Sequence, residues 1–207
     1  MEEIEKEYQD CKIAFLGKTK SGKSSLVKSL FGFDLHIDKQ DESEEIAVVM
    51  RIHNKNKKFG NIYDSFVVMD TPGFASFYED DEMYIPLYQY VLSVSDYLVW
   101  VIQGNTRSDR ADQEMILRLK PFIRQETKCI LCVNMVDKIG SEYNKNWDNK
   151  TNMPNDEMNS LIVQRSYALQ QKFDEINFQI SDIVTCSVTK RFGIDQLLKI
   201  IIDKGEE

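Results

Sequence analysis

The sequence predicts an α/β fold in which helices cover both faces of a mainly parallel, six-stranded sheet with one antiparallel edge strand. Three observations carry that prediction. Short apolar runs alternate with helix-like segments through most of the chain, the pattern of parallel strands joined by crossover helices. Two β-rich runs, 46–52 and 62–69, are joined instead by a short polar stretch, which reads as a hairpin and supplies the antiparallel edge. At 207 residues the chain has room for one well-buried core, so a single domain over 11–204 is expected after an extension at 1–10.

The elements follow in order. A short apolar strand at 11–16 leads through a glycine-rich turn into a helix at 22–31, with Leu26, Val27 and Leu30 on one side. After the hairpin comes a helix at 83–94 with Pro86 in its first turn. A strand at 97–102, a helix at 109–124 and a strand at 128–133 continue the alternation. Segment 140–155 breaks it. Asparagines at 144, 146, 149, 152 and 155, few apolar residues and Pro154 mark it as a surface insertion. A helix at 156–176, a strand at 183–186 and a helix at 193–204 close the chain.

Composition narrows the function. With 42% hydrophobic and 29% charged residues, no apolar run approaches the ~18 residues that cross a bilayer. The acidic start, with Glu2, Glu3, Glu5 and Glu7, lacks the basic-then-apolar pattern of a secretory signal, so the expected location is cytoplasmic. Net charge is −8, from 26 basic and 34 acidic residues, which disfavours bulk nucleic-acid binding. The one visible basic cluster, Lys55, Lys57 and Lys58, reads as a solvated hairpin tip, with an RNA or lipid contact as the alternative. Cysteines stand at 11, 129, 132 and 186. Cys129 and Cys132 share one predicted strand, where positions three apart face opposite ways, so buried reduced thiols are expected rather than a disulfide or a shared metal.

Four short motifs carry chemistry. Gly17-Lys18-Thr19-Lys20-Ser21-Gly22-Lys23-Ser24 fits G-x-x-x-x-G-K-[ST] between a strand and a helix. Gly17 and Gly22 let the backbone wrap closely enough to aim amide N–H groups at a β-phosphate, and the helix start adds its positive end. Lys23 is expected to bridge β- and γ-phosphate oxygens, and the Ser24 hydroxyl to ligate Mg²⁺. Lys18, Thr19, Lys20, Ser21, Gly22 and Ser25 complete the expected nucleotide contacts. Asp70-Thr71-Pro72-Gly73 ends the second hairpin strand. There Asp70 would hold Mg²⁺ through water, and the Gly73 amide would bond the γ-phosphate and make the next loop sensitive to it.

Asn134-Met135-Val136-Asp137 follows another apolar strand. A carboxylate at 137 can accept from N1–H and the exocyclic amine of guanine, a donor pair that adenine lacks, while Asn134 braces neighbouring loops. Ser187-Val188 follows the last strand and puts the Val188 amide in place for the guanine O6. By themselves these residues also leave open a P-loop ATPase or kinase, against which Asn134 and Asp137 argue.

Together the four elements resemble the first, third, fourth and fifth signature motifs of the translation-factor-related P-loop GTPases. The likeness is to the Era, TrmE, EngA and septin-like branch, and within it to small bacterial YfjP-like GTPases with D-T-P-G-F. It covers residues 10–204 and implies a three-layer G domain, GTP as substrate, GDP as product, Mg²⁺ as cofactor and hydrolysis as the activity.

Three departures from the family pattern follow. Met135 stands where the family usually has a lysine whose stem covers the purine, and a flexible thioether can do the same. No threonine occurs between Gly32 and Asp70, leaving Ser43 as the candidate first-switch ligand for Mg²⁺ or as a plain polar loop residue. Phe74 stands where Ras-type enzymes carry a water-orienting glutamine, so slow intrinsic turnover is expected, or a module that binds GTP or GDP without hydrolysing it. Potassium-stimulated relatives carry an asparagine at the position of Lys20. Its ammonium is therefore a candidate replacement for that cation near the α- and γ-phosphates, or a solvent-pointing lysine. The candidate catalytic set is Lys23, Gly73 and Lys20. Arg107 and Arg110 would serve a nucleotide-dependent homodimer interface, or capping and surface ion pairs. The apolar switch at 74–78 is the expected surface for a protein effector.

Overall fold

The computed structural model describes residues 10–32, 48–54, 63–74, 78–140, 147–148 and 150–202. Ser43, the basic cluster at 55–58, switch residues 75–77 and residues 1–9 lie outside the described residues.

The described chain builds β1 (Asp10–Leu16), α1 (Lys23–Phe31), β2 (Val48–His53), β3 (Ser65–Asp70), α2 (Tyr78–Val94), β4 (Tyr97–Gln103) and α3 (Arg110–Leu119). It continues with β5 (Lys128–Asn134), β6 (Trp147–Asp148), β7 (Met153–Pro154), α4 (Asp156–Asp174), β8 (Asp182–Thr185) and α5 (Ile194–Ile202). Six strands form one sheet in the order β2-β3-β1-β4-β5-β8. All neighbours run parallel except β2, which pairs antiparallel with β3 from Val48 opposite Asp70 to His53 opposite Ser65. The expected α/β class and its single antiparallel edge strand are what the chain adopts.

The central strands are apolar on both faces because both faces are covered. In β4, Leu98, Trp100 and Ile102 point into a core shared with Tyr88 and Leu92 of α2, Ile116 of α3 and Leu169 of α4. Tyr97, Val99 and Val101 point the other way, toward Leu26 and Leu30 of α1 and Leu197 and Ile201 of α5. Cys129 and Cys132 of β5 divide between the same two cores. All four cysteines are buried and unbridged.

Two elements differ from expectation. Pro86 lies at the ninth position of α2 rather than in its first turn, because the helix already starts at Tyr78. Pro86 is exposed, so the backbone bond its ring removes falls on the solvent side. The predicted 109–124 helix stops at Leu119 and continues as a 3₁₀ turn, Lys120–Phe122, because Pro121 cannot donate to the α-helical ladder.

Segment 140–155 is only partly the surface insertion the sequence suggests. Trp147 of β6 is 3% exposed, Pro154 of β7 is buried, and Asn155 caps α4 by accepting from the Met158 amide at 2.9 Å. Polar composition concealed an aromatic anchor.

Candidate nucleotide site

All four motifs lie at the C-terminal ends of neighbouring strands, where open α/β sheets place their ligands. β1 ends at Leu16 and α1 begins at Lys23, so residues 17–22 form the turn between them. Gly22 has φ 90°, and a Cβ there would lie 2.4 Å from Asn134 Nδ2. The position thus excludes a side chain both by conformation and by space.

Lys23 is 6% exposed, and its ammonium donates to the carbonyls of Gly17 at 3.0 Å and Lys18 at 3.2 Å. It lies across the turn, supported by the loop's own backbone. Ser24 and Ser25 follow in the first turn of α1, the former half-buried and the latter exposed. Ser21 is buried, and its hydroxyl has no hydrogen-bond partner among the described residues. Lys20 is exposed, with φ 66°, a strained conformation for a side-chain-bearing residue. The Lys20 carbonyl accepts from Gln103 Nε2 at 2.5 Å.

Lys18 contributes to the turn through its backbone. Its ammonium donates to the Ser108 carbonyl and pairs with Asp112 of α3 at 3.1 Å. Asp112 is wholly buried and accepts from Trp100 Nε1 at 3.1 Å. Burial raises the Asp112 pKa against the opposing pull of Lys18 and Trp100. Gln103, Ser108 and Asp112 carry no sequence signature, since their role depends on which loop the sheet brings beside the turn. Behind them, Arg165 of α4 grips that loop. It donates to the Gly104 carbonyl at 3.2 Å and to both oxygens of Asp109, at 2.8 and 2.5 Å.

The second motif is pinned against the first. Asp70 is 5% exposed at the end of β3, paired in register with Phe15 of β1. Thr71 Oγ1 donates to the Phe15 carbonyl at 2.8 Å, and Tyr88 Oη to the Pro72 carbonyl at 3.1 Å. The Thr19 amide donates to the Phe74 carbonyl and Thr19 Oγ1 to the Gly73 carbonyl, both at 3.0 Å. A Cβ on Gly73 would lie 2.5 Å from Thr19 Cα. Phe74, expected on a partner-facing surface, is 1% exposed and packs against Trp100 with ring centroids 5.5 Å apart. Its ring belongs to the core because Trp100 and α2 offer it an apolar slot. Arg110, the other partner candidate with Arg107, makes a surface ion pair with Glu114 at 2.7 Å.

At the other end of the site, Asn134 donates from Nδ2 to the Ser21 carbonyl at 3.0 Å and accepts the Met135 amide at 2.8 Å. This single side chain fastens the β5 end to the glycine turn. Met135 has φ 60° and would put its methyl carbon 3.4 Å from a Cβ on Gly22. Asp137 follows in a 3₁₀ turn, 4% exposed, and its Oδ1 has no hydrogen-bond partner among the described residues. A buried carboxylate oxygen without a donor is costly, which marks a place for incoming N–H groups.

Ser187 and Phe192 close a tight loop by exchanging two backbone bonds of 3.0 Å, and Ser187 Oγ accepts the Lys190 amide at 3.1 Å. The Val188 amide makes no backbone hydrogen bond among the described residues. The two base-side motifs touch below the surface. Cys132 and Cys186 Sγ atoms lie 3.3 Å apart, and Cys186 Sγ reaches Asn134 Oδ1 at 3.5 Å. Hydrogen bonding to Cys186 and burial hold the Cys132 thiol protonated. Sequence spacing missed this contact because the pair joins different strands.

Ser24 and Asp70 offer a hydroxyl and a carboxylate, hard oxygen donors of the kind Mg²⁺ takes. Among the described residues no group of three or more histidine, cysteine or acidic side chains could hold a metal. This donor set fits an ion that shares its shell with phosphates and water rather than one caged by protein. No helix among the described residues is long and apolar enough to cross a membrane.

Comparison with known structures gives the same architecture. A variant of Era from Aquifex aeolicus bound to GDP and aluminium tetrafluoride superposes with TM-score 0.65 at 22% identity, covering 96% of this chain and 58% of that one. Translation elongation factor SelB from Methanococcus maripaludis, in complex with a GTP analogue, gives TM-score 0.59 at 15% identity over 94% and 33% of the two chains. A variant of SsGBP gives 0.55 at 18% identity over 93% and 54%. The chain thus spans between a third and three-fifths of the length of these structures, and the likeness is one of fold. None of the curated proteins matches the chain by sequence. The model of the 50S ribosome-binding GTPase family matches residues 12–135, more than half of the chain, and takes in the first two motifs and the first two residues, Asn134 and Met135, of the third. The protein belongs to that family of P-loop GTPases.

Proposed function

We propose that this protein binds GTP and GDP with guanine selectivity, and slowly hydrolyses GTP to GDP and phosphate in the presence of Mg²⁺. The observation that carries the proposal is Asp137, whose buried oxygen lacks a hydrogen-bond partner among the described residues. It sits on the segment that Asn134 ties to the glycine turn. A guanine offers that oxygen two N–H donors, and the same placement would leave adenine without one.

The turn's amides and Lys23 would hold the β- and γ-phosphates, and Lys20 would add a positive charge from its exposed position. Mg²⁺, held by the Ser24 hydroxyl and through water by Asp70, would neutralise charge on the phosphates. Ser43 is the candidate third ligand. The Gly73 amide would contact the γ-phosphate, and its packing on Thr19 couples that contact to the glycine turn. Nucleotide state would thereby order the segment after Phe74 as a switch for a protein effector or a second copy of the chain. Placement beside Era, TrmE and the YfjP-like proteins rests on the D-T-P-G-F motif, and a cytoplasmic setting on the buried, unbridged thiols.

A second reading, a module that holds the nucleotide without turning it over, is favoured by one observation. Phe74 is buried against Trp100, so the residue after Gly73 orients no water. Single-turnover phosphate release, followed across protein concentrations and with and without potassium, decides between the two. Slow release above the uncatalysed rate is expected; none at any concentration would leave the binding module.

A further inference from the structure

The β6–β7 hairpin, inside the asparagine-rich segment, lies against the 187–192 loop, whose Val188 amide the sequence motif puts in place for the guanine O6. Trp147 stacks edge-on against Phe192, with centroids 5.4 Å apart and an interplanar angle of 90°. The Lys190 ammonium lies 5.8 Å from the centre of the Trp147 ring. Asn152 joins the two partners: Oδ1 accepts from Trp147 Nε1 at 3.3 Å, and Nδ2 donates to the Lys190 carbonyl at 2.7 Å. The hairpin is itself ordered locally, since Asp148 accepts from the Lys150 amide and from Thr151 Oγ1, both at 2.8 Å. Of the loop's six residues, two are gripped from this side, at 190 and 192. The chain between Ser187 and Phe192 is therefore clamped at its closing pair and at its crest.

We infer that the hairpin is a specificity brace: Asn152 and Trp147 are positioning residues that fix the Val188 amide for a purine carrying a carbonyl at C6. The physical reason is that a backbone amide has no side chain to lock it. Its direction follows the loop's φ and ψ, and the bonds inside the loop, the Ser187–Phe192 pair at 3.0 Å, the Lys190 amide on Ser187 Oγ at 3.1 Å and the Arg191 amide on the Val188 carbonyl at 3.2 Å, fix its shape but let it rock as a unit unless a contact from outside the loop holds its crest. Asn152 supplies that contact from a left-handed conformation, φ 56°, which is strained and persists because the surrounding contacts hold it. The segment's polar composition then has a role beyond solubility, as the source of a bidentate amide between two loops.

The inference rests on the guanine reading above, and the test separates the two. Asn152→Gly removes the side chain while tolerating the positive φ. Affinities for GTP and for 6-thioguanosine triphosphate are measured on wild type and variant. The thio analogue keeps the N1–H and amine donors that would face Asp137 and replaces only O6, by a weaker acceptor. Wild type is expected to prefer GTP about fivefold to tenfold, the worth of one hydrogen bond. The variant is expected to lose most of that preference while binding the thio analogue within about twofold of wild type. An unchanged preference in the variant overturns the brace. Equal weakening of both nucleotides also overturns it, by showing a general loss of structure. Absence of any preference in the wild type instead removes the base assignment on which the brace depends. Trp147→Phe, which keeps an aromatic edge but deletes the N–H, should give a smaller loss of preference in the same direction.

Discussion

The two ends of the site are held together by different means. At the phosphate end, the six consecutive residues 17–22 between β1 and α1 set their own geometry, and Lys23 is propped by carbonyls five and six residues away. At the base end, Asn134 and Asp137 follow from β5 and the 187–192 loop from β8, and their supports span 113 residues from Asn134 to Ser21 and 38 from Asn152 to Lys190. A local motif survives changes elsewhere in the molecule, whereas an assembled one depends on its neighbours. Substitutions should therefore act sharply but locally at the phosphate end, and selectively by base at the other.

The largest effect is expected where the ends share a support. Arg165→Ala leaves Asp109 buried at 1% exposure with only Lys172 as an ion partner among the described residues, at a cost of about 3–5 kcal/mol. Thermal unfolding should show a large fall in Tm. A fall of a degree or less would mean that α4 does not hold the 103–109 loop.

Next is Lys23→Ala. Two charge-assisted phosphate contacts are lost, so GTP affinity should drop about 100-fold, equivalent to roughly 3 kcal/mol, with ATP, if bound at all, dropping equally. Asp137→Ala should cost less, about 2 kcal/mol or 30-fold, and only for guanine nucleotides. If Asp137→Ala weakened GTP and inosine triphosphate by the same factor, the exocyclic amine would not be read by this carboxylate.

The smallest effect is the most gradual. Burial alone would raise the Asp109 pKa, yet bonds from Arg165 and Lys172 outweigh it and the net shift is downward. A carboxylate lowered on folding binds fewer protons in the native state, so its stabilisation is present above the ordinary Asp value and is lost as pH falls through the folded value. Denaturant midpoints should decline over that acidic window in the wild type and decline less in an Asp109→Asn, Arg165→Met pair.

What the sequence disclosed follows the same division. The glycine turn, Asp70 and the strand preceding Asn134 were legible because each motif is contiguous and flanked by an apolar strand. The start of α2 was not, since residues 79–82 read Glu-Asp-Asp-Glu, without apolar period, although acidic residues suit a helix N-terminus. Phe74 looked like a surface aromatic because its slot is made by Trp100, 26 positions on. Trp147 was hidden for the same reason: its partners, Lys190 and Phe192, lie more than 40 positions away, and polar neighbours suggested exposure. Lys18 read as a phosphate contact, and only the fold shows its ammonium committed to Asp112. Pairings between distant segments leave no local periodicity to detect.

The central claim is that a phosphate-binding turn has been joined to a guanine-selecting carboxylate, and the affinities of GTP, GDP and ATP with and without Mg²⁺ test it most directly. GTP and GDP should bind with Mg²⁺ strengthening the triphosphate more, and ATP should fail to compete at a hundredfold excess, about 3 kcal/mol of discrimination. ATP binding as tightly as GTP would contradict the account.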